Sequence, residues 1–101
     1  MATAYLMVRS ILAEATDRPR FDRWYATEHM PQAIAAFAAR RGWRCWSRTN
    51  PNVHRAFYEF ADVATADAVL HSPEIAVLIA EYDRVWGARV IRTRDVLELA
   101  D

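Results

Sequence analysis

Apolar residues in this chain switch repeatedly between two spacings, and the order of the switches restricts the fold more than any single motif. Ala4–Leu12 alternates, with Leu6 and Val8 on one side and Tyr5, Met7, Arg9 and Ile11 on the other. That is a strand with neither face wholly polar. After Asp17 or Thr16, either able to cap, and Pro19 in a first turn, the spacing becomes helical through Phe21, Trp24 and Tyr25. It resumes beyond Pro31 through Ile34, Phe37 and Ala38, with Arg40 and Arg41 suited to the negative end and Gly42 as a stop. Alternation returns in Trp43–Arg48 and Arg55–Phe60, on either side of the turn residues Asn50, Pro51 and Asn52. Trp43 and Trp46 fall on opposite faces of their strand. Asp62–His71 is a short helix or turn. Ser72, Pro73 and Glu74 then open a longer helix, with Ile75, Leu78, Ile79, Tyr82 and Val85 or Trp86 as its stripe and Gly87 as its end. Val90–Leu97 is the last strand.

The order β-α-β-β-α-β in 101 residues predicts a single α+β domain over 1–101. Its arrangement is ferredoxin-like, a four-stranded antiparallel sheet with its helices on one face. The other face of such a sheet is bare. If Trp, Tyr, Phe and Met side chains occupy it, a second sheet covers them better than water does, which predicts a homodimer packed sheet to sheet. Four tryptophans and four tyrosines exceed what one small core needs, and the balance of 13 basic against 13 acidic residues leaves self-association unopposed.

The stretch Phe21–Pro31 concentrates the chemistry. On a regular helix Phe21, Tyr25 and His29 stack along one ridge and Trp24 and Glu28 along the next. Pro31 removes a backbone donor and crowds the preceding turn, so a kink or stop is expected near His29. The pattern F-x-x-W-Y-x-x-x-H-x-P formed by Phe21, Trp24, Tyr25, His29 and Pro31 resembles the first helix of EthD-like and other small bacterial members of the dimeric α/β-barrel superfamily. Arg55–Phe60 is similar to their third strand. Two departures stand out: Met30 replaces the usual glycine after the histidine, and Phe37, Ala38 and Ala39 replace a glycine-containing loop. The resemblance implies an eight-stranded barrel formed by two chains and a pocket in each between sheet and helices. Its relatives include cofactor-free monooxygenases, cyclases, isomerases, haem-degrading enzymes and proteins without known activity, so kinship chooses no reaction.

His29 is the candidate catalytic residue, because an imidazole titrates near neutrality and serves as general acid or base. The alternative is structural, with His29 bonding the carbonyls that Pro31 frees. Trp24, Tyr25, Trp46 and Tyr58 are candidates to line a substrate pocket, each with core packing as the competing role. Arg9 is the candidate for an anionic substrate group; Arg44, Arg92 and Arg94 are rim charges with the same capacity. Glu28 points about 100° away from His29 and is expected to pair with Arg9 or Arg44, or to lie at the rim. Cys45 is expected to be a small buried hydrophobe.

No metal site is expected, since His54 and His71 lie in other elements without ligand spacing. Gly-rich phosphate loops, G-x-S-x-G, H-E-x-x-H and paired Cys-x-x-Cys are absent, so no cofactor is expected. Charge balance gives no reason to expect nucleic acid, and no apolar run is long enough for a membrane span. A cytoplasmic protein is the expectation. These features favour a cofactor-independent enzyme acting on a small aromatic or polyketide-like compound. A dimeric, non-enzymatic small-ligand or stress-related module competes, and haem binding through His29 comes third.

Overall fold

β1 (Ala4–Leu12) is the strand on which the sheet is built, paired along its length on both sides. The structure is a computed structural model and describes residues 2–100. Around β1 stand β2 (Arg41–Trp46), β3 (Val53–Phe60) and β4 (Val90–Glu98), in the order β2-β3-β1-β4 with every pair antiparallel. The helical elements are α1 (Arg18–Trp24), a π-helical turn (Tyr25–His29), α2 (Met30–Phe37), α3 (Val63–Leu70) and α4 (Pro73–Trp86). This is the α+β, ferredoxin-like arrangement expected from the order of spacings.

Alternation along β1 sorts its side chains cleanly. Leu6, Val8, Ser10 and Leu12 are buried beneath the helices, and Tyr5, Met7, Arg9 and Ile11 lie partly open on the other face. Ala56, Tyr58 and Phe60 of β3 and Val90 of β4 join the helix side. Phe21, Trp24, Tyr25, Ala33, Tyr82 and Trp86 pack down on them from the helices.

Local chemistry sets most of the element ends. Ser72 Oγ accepts from the Ile75 amide at 3.2 Å, and Asp62 Oδ1 accepts from the Thr65 amide at 2.8 Å, capping α4 and α3. Gly87 ends α4 at φ 52°, ψ −133°, a conformation open to glycine alone. Elsewhere the expected ends shift. The helix stops at Phe37 with Ala38 in the left-handed region, at φ 52°, rather than at Gly42. Gly42 is instead inside β2, where a Cβ would meet Ile34 Cδ1 at 3.0 Å and the Phe57 carbonyl oxygen at 3.2 Å. Arg40 and Arg41 leave the helix end and pair with Glu59, at 3.7 and 3.1 Å. Asp17 gives no side-chain cap to α1 but forms an ion pair with Arg89, tying the helix start to the turn before β4.

Two further expectations need correction. Cys45 is exposed, because its place on β2 turns it to the uncovered face. Pro31 neither stops nor breaks the helix: residues on both sides keep helical dihedrals. The π-helical turn is the reason. The Met30 amide reaches back five residues to the Tyr25 carbonyl, and the widened turn makes room for the proline ring. Thr27 Oγ1 donates to the Arg23 carbonyl at 2.7 Å, satisfying another acceptor in the same turn.

Candidate functional site

The widened turn aims His29 inward. Its ring stacks on Trp24 at 4.7 Å between centroids and 18° between planes, and meets the edges or faces of Tyr25 at 4.8 Å and Tyr82 at 5.4 Å. Nδ1 of His29 is buried and has no hydrogen-bond partner among the described residues. The expected bond to carbonyls freed by Pro31 is therefore not made through that nitrogen.

His29 borders a cavity between the sheet and the helices. Its other walls are Phe37, Tyr58, Tyr82, Arg92 and Arg94, completed by aliphatic side chains of β1 and α4 such as Val8 and Leu78. About 20 Å³ of it is open, enough for roughly one water-sized group. Every polar wall residue comes from a different element or register position, and the strand pairing explains their meeting. Val8 lies opposite Arg94 and Ser10 opposite Arg92, so both arginines of β4 share the helix side of the sheet. The Arg92 guanidinium sits over the Tyr82 ring at 3.9 Å, and the Tyr82 hydroxyl is 2.7 Å from Ser10 Oγ.

Burial governs the electrostatics. His29 is pushed down to about 4 by burial, then by the neighbouring charges of Arg92 and Arg94. At neutral pH it is an uncharged imidazole able to accept a proton. Burial also pushes the Tyr58 hydroxyl up to about 12 and raises Tyr25 and Tyr82, so all three are neutral donors. The Tyr25 and Tyr58 hydroxyls are buried and neighbour each other, and neither has another partner among the described residues. The site thus combines one uncharged base, neutral hydroxyls and two fixed cations, a set suited to moving a proton on a substrate that carries or develops negative charge.

No protein-family model matches the sequence, and comparison with curated proteins gives no match. Solved structures do match, over nearly the full chain. SnoaB, a cofactor-independent oxygenase from Streptomyces nogalater, is 14% identical with a TM-score of 0.66, covering 100% of this chain and 96% of that one. An EthD family protein from Bacillus halodurans is 13% identical with a TM-score of 0.68, covering 95% and 99%. A protein of unknown function from Nitrosomonas europaea is 22% identical with a TM-score of 0.66, covering 100% and 92%. Another neighbour, from an uncultured marine organism, is described as a dimeric ferredoxin-like protein, at 10% identity and a TM-score of 0.57. The chain has the ferredoxin-like fold. At these identities the likeness extends to the fold and not to the chemistry.

Within that ferredoxin-like frame the candidate residues separate into three places. His29 and Tyr58 border the cavity, with Trp24 and Tyr25 immediately behind His29. Trp46 is elsewhere, donating its indole N–H to Asp22 at 2.8 Å beside Arg44, whose Nη1 lies 3.0 Å from the same oxygen. Arg9 is on the uncovered face of the sheet, away from the cavity. Glu28 is exposed and makes no ion pair with Arg9 or Arg44. Among the described residues no group of three His, Cys, Asp or Glu side chains can hold a metal. No single helix among them is long and apolar enough to cross a membrane.

Tyr82, Arg92 and Arg94 are the site residues whose part sequence reading understates. The available signal is the two-residue spacing of Arg92 and Arg94 between Val90 and Val96, which places both on the buried side of β4. His54 is a second buried imidazole. It is wholly buried with Nδ1 unpartnered, and pushed down to about 3, first by burial and then by Arg44.

Proposed function

We propose that the protein is a cofactor-independent enzyme of the monooxygenase, cyclase or isomerase type, acting on a small aromatic or polyketide-like compound. The carrying observation is His29: an uncharged, buried imidazole with a free Nδ1 on the wall of a cavity that also holds two arginines. In this reading the His29 imidazole accepts a proton from an acidic C–H or O–H of the substrate, and the bonding pair stays on the substrate as an enolate or phenolate. The imidazolium returns the proton to another carbon, or to an oxygen after ring closure. In the oxygenase version, dioxygen is the co-reactant of the enolate. Tyr58 and Tyr82 shape the pocket, and Trp24 fixes the ring plane of His29.

His29→Ala should lower turnover of a phenol or hydroxyquinone substrate by about 10²–10⁴-fold, the usual worth of a positioned acid–base group. A panel of such compounds is the assay, with circular dichroism confirming that the variant is folded. Undiminished turnover in His29→Ala would sink the proposal. A ligand-sequestering module is the second reading, favoured by the low basicity of the resting imidazole; under it both proteins bind and neither turns over. Haem ligation by His29 finds little room, since Trp24 stacks on the ring and Tyr25 and Tyr82 stand edge-on to it.

The working unit we propose is a homodimer joined through the uncovered sheet face. Tyr5, Trp43 and Phe57 form an aromatic row there, with Tyr5 edge-on to Trp43 at 5.7 Å and Trp43 stacked on Phe57 at 5.5 Å. Met7 and Ile91 extend it, and Ile91 is 66% exposed. Sedimentation at micromolar concentration should give the mass of two chains, and Trp43→Asp should give one. A wild-type monomer at that concentration overturns the sheet-to-sheet pairing.

A further inference from the structure

Arg92 is a cation with most of its hydrogen-bonding capacity unused. Its side chain is 10% exposed, and Nε and Nη1 are buried with no partner among the described residues. Only Nη2 is engaged, donating to Asp83 Oδ1 at 3.0 Å, and Asp83 is 61% exposed at the outer end of the pair. Arg94, two residues on and on the same side of β4, is half-buried and enters no ion pair among the described residues. Two guanidinium groups thus line the His29 cavity with one ion-paired carboxylate between them, the exposed Asp83 on Arg92. The Tyr82 ring beneath Arg92 accounts for the position of its planar group, but not for the idle donors in its edge. A water molecule in the cavity can accept those hydrogen bonds, yet leaves the excess positive charge uncompensated. An anionic oxygen does both.

We propose that Arg92 and Arg94 seat the anionic head of the ligand, a carboxylate or a phenolate oxygen, beside His29. The inference rests on reading the His29 cavity as the ligand site. Size supports a head group rather than a whole molecule, since the cavity admits about one water-sized group. The seat also bears on the base. Arg92 and Arg94 are the charges that weaken His29, so an anion placed between them offsets that influence and strengthens the imidazole only when substrate is bound.

Benzoate and its neutral analogue benzamide, titrated into the full-length protein by calorimetry, test the charge preference directly. Wild-type protein should bind benzoate at least about tenfold more tightly, the scale of hydrogen bonds to a charged group. Arg92→Gln and Arg94→Gln should each reduce that ratio by about tenfold while leaving benzamide affinity unchanged, and Arg94→Lys should recover part of it. Asp83→Asn, which removes the competing carboxylate, should not lower the ratio. A second arm compares 4-nitrophenol below and above its own titration: a phenolate preference exceeding the benzoate preference assigns the seat to a phenolate, the reverse to a carboxylate. Equal affinity for benzoate and benzamide in wild-type protein, absence of binding by either, or an undiminished ratio in both glutamine variants overturns the proposal. Turnover in His29→Ala and the benzoate-to-benzamide ratio in the glutamine variants are separate readouts, so failure of the catalytic reading and failure of the anion seat give different results.

Discussion

Lowering the pH from 7 to 5 is expected to cost the folded protein about 4 kcal/mol, through two histidines that are buried uncharged. His29 is held at about 4 and His54 at about 3, against 6.5 for a free imidazole. Both folded values lie below the unfolded one, so between them the unfolded chain binds more protons. Stability is therefore complete above about pH 6.5 and falls as the pH drops through the window, levelling off only below the folded values. At pH 5 each histidine accounts for about 2 kcal/mol, since one pKa unit is about 1.4 kcal/mol. The partners facing them explain why neither can charge in place. His29 lies among Trp24, Tyr25, Tyr82, Arg92 and Arg94, with Glu81 a weaker, opposing influence; His54 lies among Phe21, Trp46 and Arg44, with Asp22 opposing. Domains of this size hold about 5–15 kcal/mol in all, so the loss brings the chain close to unfolding. Urea titrations at fixed protein concentration should show the midpoint dropping steadily from pH 7 to 5, and His29→Gln should remove about half of the slope. A midpoint that does not move over this range contradicts the burial of both imidazoles.

Phe21→Ala should be the most damaging single truncation, at about 3–5 kcal/mol. Phe21 is wholly buried, and its ring lies within 5.1 to 6.3 Å of the rings of Trp24, Tyr25, Trp46, His54, Tyr82 and Trp86. Rings from α1, β2, β3 and α4 all rest on it, so no one neighbour can move to fill the space without leaving its own partners. Phe21→Leu keeps most of the volume and should cost below about 1.5 kcal/mol. Chemical denaturation with a common slope measures both, and a loss under 1 kcal/mol for the alanine variant would show that the cluster repacks, contrary to expectation.

The strands and their order were legible because strand spacing and turn residues are local. Trp43 and Trp46 on opposite faces of β2, Ser72 as the cap of α4 and Gly87 as its end all depend on a few consecutive residues. The boundaries that moved depend on contacts between distant parts. Gly42 pairs with Tyr58 inside a strand, where Ile34 packs closely over it, and Cys45 is exposed because its face of the sheet has no helix over it. At the site, the row of Phe21, Tyr25 and His29 could be read from the first helix. The approach of Arg92 and Arg94 could not, because it requires knowing which strand lies beside β1 and which helix covers it.

The π-helical turn also has a consequence for angular phase. Counting about 100° per residue from Phe21, the buried side chains of α1 and those of α2 point roughly 160° apart on a regular helix. Phe21 and Phe37 would then lie on nearly opposite sides. Fitting one extra residue into the turn winds α2 back by about one residue's rotation, and both rows come to rest on the same sheet. A redesign that regularised Tyr25–His29 into plain α-helix at constant length would have to choose between them. Either the Phe21 row or the Phe37 row would keep its place, and the other would swing toward solvent.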